Sequence, residues 1–201
     1  MHVVHPLSVL TALVDHVKYL TTVDGESSTN DMVLVLANGR AETTIDDTSY
    51  PIFVDALHAV CHQLALAIVK GGEGASKLVS IRVVGAHTSD EAKRAARAIA
   101  NSPLVKTAIA GGDANWGRVV MAVGKAGEPA DRDRLSIAFG GHWAARDGQP
   151  VEDYDEAPVA RHLEGQDVDM TVDLGMGDGR ATVWTCDLTH GYISINADYR
   201  S

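Results

Sequence analysis

The 201-residue sequence predicts an α/β fold, and three features carry that expectation. Segments with apolar residues at helical spacing alternate with short apolar runs of strand length, the pattern of a sheet covered by helices. Hydrophobic residues make up 45% of the chain and charged residues 22%, the balance of a folded domain rather than a disordered one. The length suits one ordinary domain or two small ones, enough to bury a core without disulfide staples.

The first helix is expected after Pro6, with a cap at Ser8, Leu10, Leu13, Val14 and Val17 at helical spacing, and an end near Lys18. The apolar run 32–37 is too short for a typical helix and closes on an Asn38-Gly39 turn, which predicts a buried strand. Pro51 suits the first turn of a longer helix whose Ile52, Leu57, Val60, Cys61, Leu64 and Ile68 form an apolar stripe, capped by Gly71. Residues 77–84 form a strand with Val79, Ile81 and Val83 on its buried face and Leu78, Ser80, Arg82 and Val84 on the other. Thr88-Ser89-Asp90-Glu91 has capping-box form and opens a helix through Ile99. Ser102-Pro103 opens a short helix that stops by Gly111-Gly112.

Beyond that point strands are expected to dominate, over 135–139, 168–174 and 181–188, with a final strand at 192–195. The glycine-rich 175–179 reads as a hairpin connection, and the acidic, proline-bounded 149–158 as a surface segment. A boundary near 84–89 divides the chain into two α/β units, 1–85 and 86–201.

Composition narrows the function. A net charge of −10 repels phosphate backbones, which argues against an unaided nucleic-acid or anionic-membrane binder and tolerates cationic small molecules. The apolar stretch 56–69 is interrupted by His58, His62 and Gln63 and is too short to span a bilayer. Cys61 and Cys186 form no CxxC pair; free thiols in a reducing compartment are the simplest reading, one disulfide remaining open. The N-terminus lacks the features of a secretory signal, so a cytoplasmic location is expected.

Several segments are dense in chemistry. Gly71-Gly72-Glu73-Gly74-Ala75-Ser76-Lys77 joins a helix end to a strand but lacks the Gly-Lys-Ser/Thr ending of a phosphate loop, and its Glu73 suits an ammonium group; a plain glycine turn is the alternative. Segment 24–31 concentrates hydroxyls, an amide and carboxylates that either line a site or cap a turn. In Gly112-Asp113-Ala114-Asn115-Trp116-Gly117-Arg118, Arg118 offers a carboxylate fork and Trp116 a flat apolar surface, or Asp113 pairs with Arg118 to fix the loop. His58, Cys61 and His62 share a helical face, yet no fourth metal ligand is indicated, and packing is favoured over zinc. Cys186 is read as a small buried strand residue rather than a nucleophile. The tail, Asn196-Ala197-Asp198-Tyr199-Arg200-Ser201, is rich in hydrogen-bonding groups for a chain end.

Taken in order, Val23 to Asp31, Lys70 to Lys77, Gly112 to Arg118, Thr185-Cys186-Asp187-Leu188-Thr189 and Ile195 to Ser201 resemble the β chain of the bifunctional ornithine acetyltransferase/N-acetylglutamate synthase family of arginine biosynthesis. The resemblance implies a layered αββα fold in which residues 1–85 belong to a core completed by an α chain and 86–201 form a smaller unit whose tail returns to the active site. It implies a precursor that cuts itself before a threonine, whose new N-terminal hydroxyl takes acetyl from N-acetylornithine and passes it to glutamate, releasing ornithine, in an α2β2 assembly. Acetyl-CoA is a further possible acetyl donor; no other cofactor and no metal is implied. On matching positions Glu73, Asn196 and Ser201 carry over as substrate-binding residues.

The departure lies at the start. The family's Ala-Thr cleavage motif precedes the segment corresponding to 7–17, whereas Met1-His2-Val3-Val4-His5-Pro6 stands here; Thr11, Thr21 and Thr22 are internal and lack a free α-amine. No catalytic residue is therefore assigned within this sequence. The chain is expected to be a β-chain-like part of the acetyltransferase, inactive alone, or alternatively a truncated, non-catalytic binding protein that keeps the fold.

Overall fold

A computed structural model describes residues 20–28, 30, 32–36 and 38–199. The first expected helix lies outside the described residues. Six strands form one mixed sheet: β1 (Leu78–Ala86), β2 (Ser136–Phe139), β3 (His142–Arg146), β4 (Gln149–Pro150), β5 (Asp167–Asp173) and β6 (Gly179–Cys186), in the order β4-β3-β2-β5-β1-β6. β1 runs parallel to β5 and antiparallel to β6, and the remaining neighbours are antiparallel. The helices are α1 (Tyr50–Lys70), α2 (Ser89–Ala100), α3 (Pro103–Ala110), α4 (Trp116–Lys125), α5 (Glu156–Leu163) and α6 (His190–Asp198). This is the α/β fold that the alternating pattern predicts.

The alternation of β1 decides where the core sits. Val79, Ile81 and Val83 are fully buried together with Val168, Met170 and Val172 of β5, Ile137 and Phe139 of β2 and Val183 of β6, beneath α2 to α5. The helices face them with small residues, Ala92, Ala95, Ala96 and Ala100 of α2, which lets helix and sheet approach closely. Thr88 and Ser102 cap α2 and α3 by accepting the backbone N–H of Glu91 and Val105. The reciprocal half of the capping box is not made, and Glu91 Oε2 is buried without a hydrogen-bond partner.

Among the described residues, the opposite face of the sheet is covered only at one end. Leu78, Trp184 and Cys186 pack against Val23, Leu66 and Val69, and His62 meets the Trp184 ring edge-on at 4.6 Å. Further along, Ser80, Arg82, Thr171 and Thr182 face outward in register. Only Cys61, Ala65 and Val69 of α1 are buried, so the expected apolar stripe is not a core stripe: Ile52, Val60, Leu64 and Ile68 are exposed because only the C-terminal part of the helix reaches the sheet. At 21 residues α1 also exceeds the apolar stretch read from the sequence, and by length and composition alone it suffices to cross a bilayer.

Other expectations are corrected. Residues 32–36 are exposed and irregular rather than a buried strand, since no strand of the sheet lies beside them to share a ladder. The 175–179 segment is not a hairpin, because β1 lies between β5 and β6; it crosses the end of β1, where a Cβ on Gly177 would stand 2.6 Å from the Ala86 carbonyl oxygen. Residues 192–195 are helical, inside α6, and helices α4 and α5 occupy stretches expected to be strand or loop. No break in the sheet accompanies the division near 84–89: β1 ends there as an interior strand bonded to β5 and β6, which come from the other side of it.

Ile81→Ala should lower the unfolding free energy by about 2–5 kcal/mol, the cost of a core cavity, whereas Thr182→Ala on the outward face should change it by less than about 0.5 kcal/mol. Urea unfolding monitored by circular dichroism measures both.

Candidate functional site

Three separate segments meet at the β6 end of the sheet. The first is 22–26, fixed by the Thr22 N–H donating to the Trp184 carbonyl at 3.0 Å. The Thr22 hydroxyl donates to Asn101 Oδ1 at 2.8 Å and accepts the Gly25 N–H at 3.1 Å, which shapes the turn. The second is the 71–77 loop, which leaves α1 where its backbone runs out and carries the exposed Glu73. The third is the corner from β6 into α6, Asp187 to Tyr192.

Two buried charges tie these segments together. Lys106 projects from α3, 3% exposed, and its ammonium donates to the carbonyls of Val23 (2.6 Å) and Cys186 and to Thr185 Oγ1 (2.9 Å). Asp187, 2% exposed, accepts the backbone N–H groups of Ser76 (2.8 Å) and Lys77 (2.9 Å) and the Ser76 hydroxyl. Burial pushes the Lys106 ammonium below the ordinary lysine range, opposed by Cys186, Asp187 and Asp24. The folded state therefore holds this proton less tightly than an unfolded chain, and the group favours folding more as pH rises from its depressed value toward that of a free lysine. Burial likewise raises the Cys186 thiol, with Lys106 acting against it. Cys186 is thus a buried thiol poor in thiolate, in keeping with a packing role.

The exposed rim is acidic. Asp24 closes its own turn by accepting the Glu26 N–H at 3.0 Å, while its other oxygen accepts the Tyr192 hydroxyl at 3.0 Å. That bond, followed by partial burial and the charges of Asp24, Glu73 and Glu26, holds the Tyr192 phenol above the ordinary tyrosine range. Both sequence-based readings of segment 24–31 therefore apply at Asp24, which caps a turn and lines the rim. Such a rim favours a cationic group.

Asn196 stands exposed in α6 and donates its side-chain amide N–H to the Tyr192 carbonyl at 3.0 Å. Ser201 lies outside the described residues. The 112–118 segment does not join the site: Asn115 caps α4, Trp116 packs against the core, and Arg118 donates to the Leu104 carbonyl at 2.8 Å and to Thr107 rather than to Asp113. Asp113 pairs with Asn115 instead, because the start of α4 turns Arg118 toward α3. Among the described residues no cluster of three His, Cys, Asp or Glu is placed to hold a metal. Lys106 was missed in the sequence, its signal a charged residue in the mostly apolar Pro103–Ala110 helix, and Asp187 stood there only within the 185–189 motif, with no role of its own.

The comparisons with known proteins agree with one another. The model described as the ArgJ family matches residues 7–201. The arginine biosynthesis bifunctional protein ArgJ of Gluconobacter oxydans is 60% identical over 184 residues, covering 90% of this chain and 43% of that protein. The protein of the same name from Ruegeria pomeroyi is 53% identical over 194 residues, covering 96% and 47%. The crystal structure of arginine biosynthesis bifunctional protein argJ from Bacillus halodurans superposes with a TM-score of 0.90 at 39% identity, over 97% of this chain and 93% of that one. The chain thus spans less than half the length of these two curated relatives.

Lys106→Met keeps an apolar stem but strips the donor from three buried oxygens, and should lower stability by about 1–3 kcal/mol. Amide hydrogen exchange should then quicken at 22–25 before it quickens in β1.

Proposed function

The chain belongs to the ArgJ family of bifunctional arginine-biosynthesis proteins, and from that premise we propose that it is the C-terminal, β-chain-like portion of an enzyme that moves acetyl from N-acetylornithine to glutamate. The observation that carries the reading is the acidic rim: Asp24 accepts the Tyr192 hydroxyl, and the charges of Glu73 and Glu26 act on the same phenol at the junction of three segments. Ornithine's side-chain ammonium is the part of N-acetylornithine that such a rim suits, and Glu73 is its proposed partner. Asn196 and Ser201 are the proposed holders of the amino-acid end, through an amide oxygen and a hydroxyl.

The nucleophile belongs in this proposal to a threonine contributed outside the described residues. The Thr22 hydroxyl is committed to Asn101 and the Thr189 hydroxyl to the Gly74 carbonyl. A threonine freed at a chain N-terminus has its own α-amine as base. Its oxygen attacks the acetyl carbonyl and ornithine leaves with the proton; the glutamate amine then attacks the acetyl-threonine ester, restoring the hydroxyl. Splitting the transfer in this way gives ping-pong kinetics. In the synthase reaction acetyl-CoA takes the place of N-acetylornithine: the same threonine hydroxyl attacks its thioester carbonyl and the CoA thiol leaves with the proton.

The partner in this reading is the remaining half of the precursor, an α chain, in an α2β2 assembly. A solved ArgJ chain is matched over 93% of its length, so it too is close to this chain's size, as cleavage of a longer precursor would leave it. The α1 residues Val60, Leu64 and Ile68 and the run 32–36 supply exposed apolar surface for that half. On this reading the chain alone turns over no substrate and self-associates in sedimentation experiments.

In the enzyme assembled with an N-terminal half of the kind the relatives carry, Glu73→Gln should lower kcat/KM for N-acetylornithine by about 10–100-fold, the loss of one charge-assisted contact. Glu164→Gln, at the exposed end of α5, should change it by less than about twofold. Equal effects would remove Glu73 from the site.

A further inference from the structure

We propose that Thr189 is a positioning residue that keeps the Glu73 loop in register with helix α6, a role that rests on Glu73 being a substrate-binding carboxylate. Helix α6 has no buried residue, so hydrophobic packing does not hold it in place. Its attachment is at its first turn. The Thr189 hydroxyl caps the helix by accepting the Gly191 N–H at 3.0 Å, and donates its own proton to the Gly74 carbonyl at 2.6 Å. One oxygen thus bonds the helix start and the loop at once.

Around that oxygen the two backbones touch. Gly74 has φ +67°, and a Cβ there would stand 2.3 Å from the Tyr192 nitrogen and 2.4 Å from the Gly191 carbonyl carbon. A Cβ on Gly191 would meet Gly74 Cα at 3.0 Å and the Thr189 hydroxyl at 3.1 Å. Glu73 directly precedes this contact, while Tyr192 and Asn196 follow it on α6. The loop exit is anchored separately, by Asp187 on Ser76 and Lys77. With the exit fixed there, the Thr189 bond sets how far the Glu73 turn stands from the helix.

The test uses the enzyme assembled with its N-terminal half, reading KM for N-acetylornithine and kcat separately. Thr189→Val keeps the branched shape and loses both bonds; it should raise KM about tenfold and leave kcat within about twofold, while Thr189→Ser, which retains the hydroxyl, stays within about twofold of the parent in both. Gly191→Ala provides a second reading: alanine favours the helix and should not lower the melting temperature, yet its methyl pushes on Gly74 and should raise KM. In the Glu73→Gln background, Thr189→Val should add nothing, because its effect passes through that carboxylate. A Thr189→Val enzyme with unchanged KM, a serine variant as impaired as the valine one, or additive effects in the double variant would each overturn the positioning role while the effect of Glu73→Gln alone keeps the site intact. If Thr189→Val does not fold, an unchanged KM in Gly191→Ala overturns it. A Glu73→Gln enzyme with parental kinetics overturns both this role and the reading it rests on.

Discussion

Burying an ammonium group is expensive unless every proton finds an oxygen, and Lys106 meets that condition only when three strands of chain are already in place. Its partners are the carbonyls of Val23 and Cys186 and the Thr185 hydroxyl, so the cost of burial is offset only in the assembled arrangement. Asp187 imposes the same condition with the opposite charge on Ser76 and Lys77. The two groups therefore act less as contributors of net stability than as a demand for one arrangement. The acidic rim inherits its geometry from that demand, because Asp24 adjoins Val23, Glu73 lies in the loop that Asp187 anchors, and Tyr192 follows the corner that Asp187 begins.

The sheet is two-sided in a way that divides labour. One face is closed by four helices and carries the core; the other, among the described residues, is covered where α1 and Val23 reach Leu78, Trp184 and Cys186. The rim is built at that covered end, where the sheet supplies rigidity and the three connecting segments supply the side chains. The uncovered apolar faces of α1 belong to the same side, so the surface that most lacks a partner adjoins the residues proposed to meet substrate.

Legibility in the sequence followed the range of the interactions. Period-two burial in β1 and the caps at Thr88 and Ser102 are set by near neighbours, and they read correctly from the order of residues. The path of β6 did not: nothing local says that β1 will stand between β5 and β6, so a glycine-rich link looked like a hairpin. The exposed run 32–36 has strand composition but no neighbouring strand, since pairing depends on chain far away in sequence or outside it. Glu73 stood out in the sequence as a carboxylate in a glycine loop, with a plain turn as the alternative, and the structure places it exposed in that loop. Thr189 was legible only as part of a familiar motif, since its bond to Gly74 spans most of the chain.

The place of β1 also governs the order in which this protein comes into being. Both of its ladder partners, β5 and β6, belong to the last third of the chain, so during synthesis β1 emerges long before either neighbour exists. Through that interval its two edges stay open, and its Val79, Ile81 and Val83 are shielded on one face alone, by the helices that precede β5. Closure comes late, with long loops to draw in, which makes for slow folding and a long exposure to mispairing. A ribosome that stalls ahead of β5 would hold a nascent chain with this interior strand unmated, a substrate for chaperones.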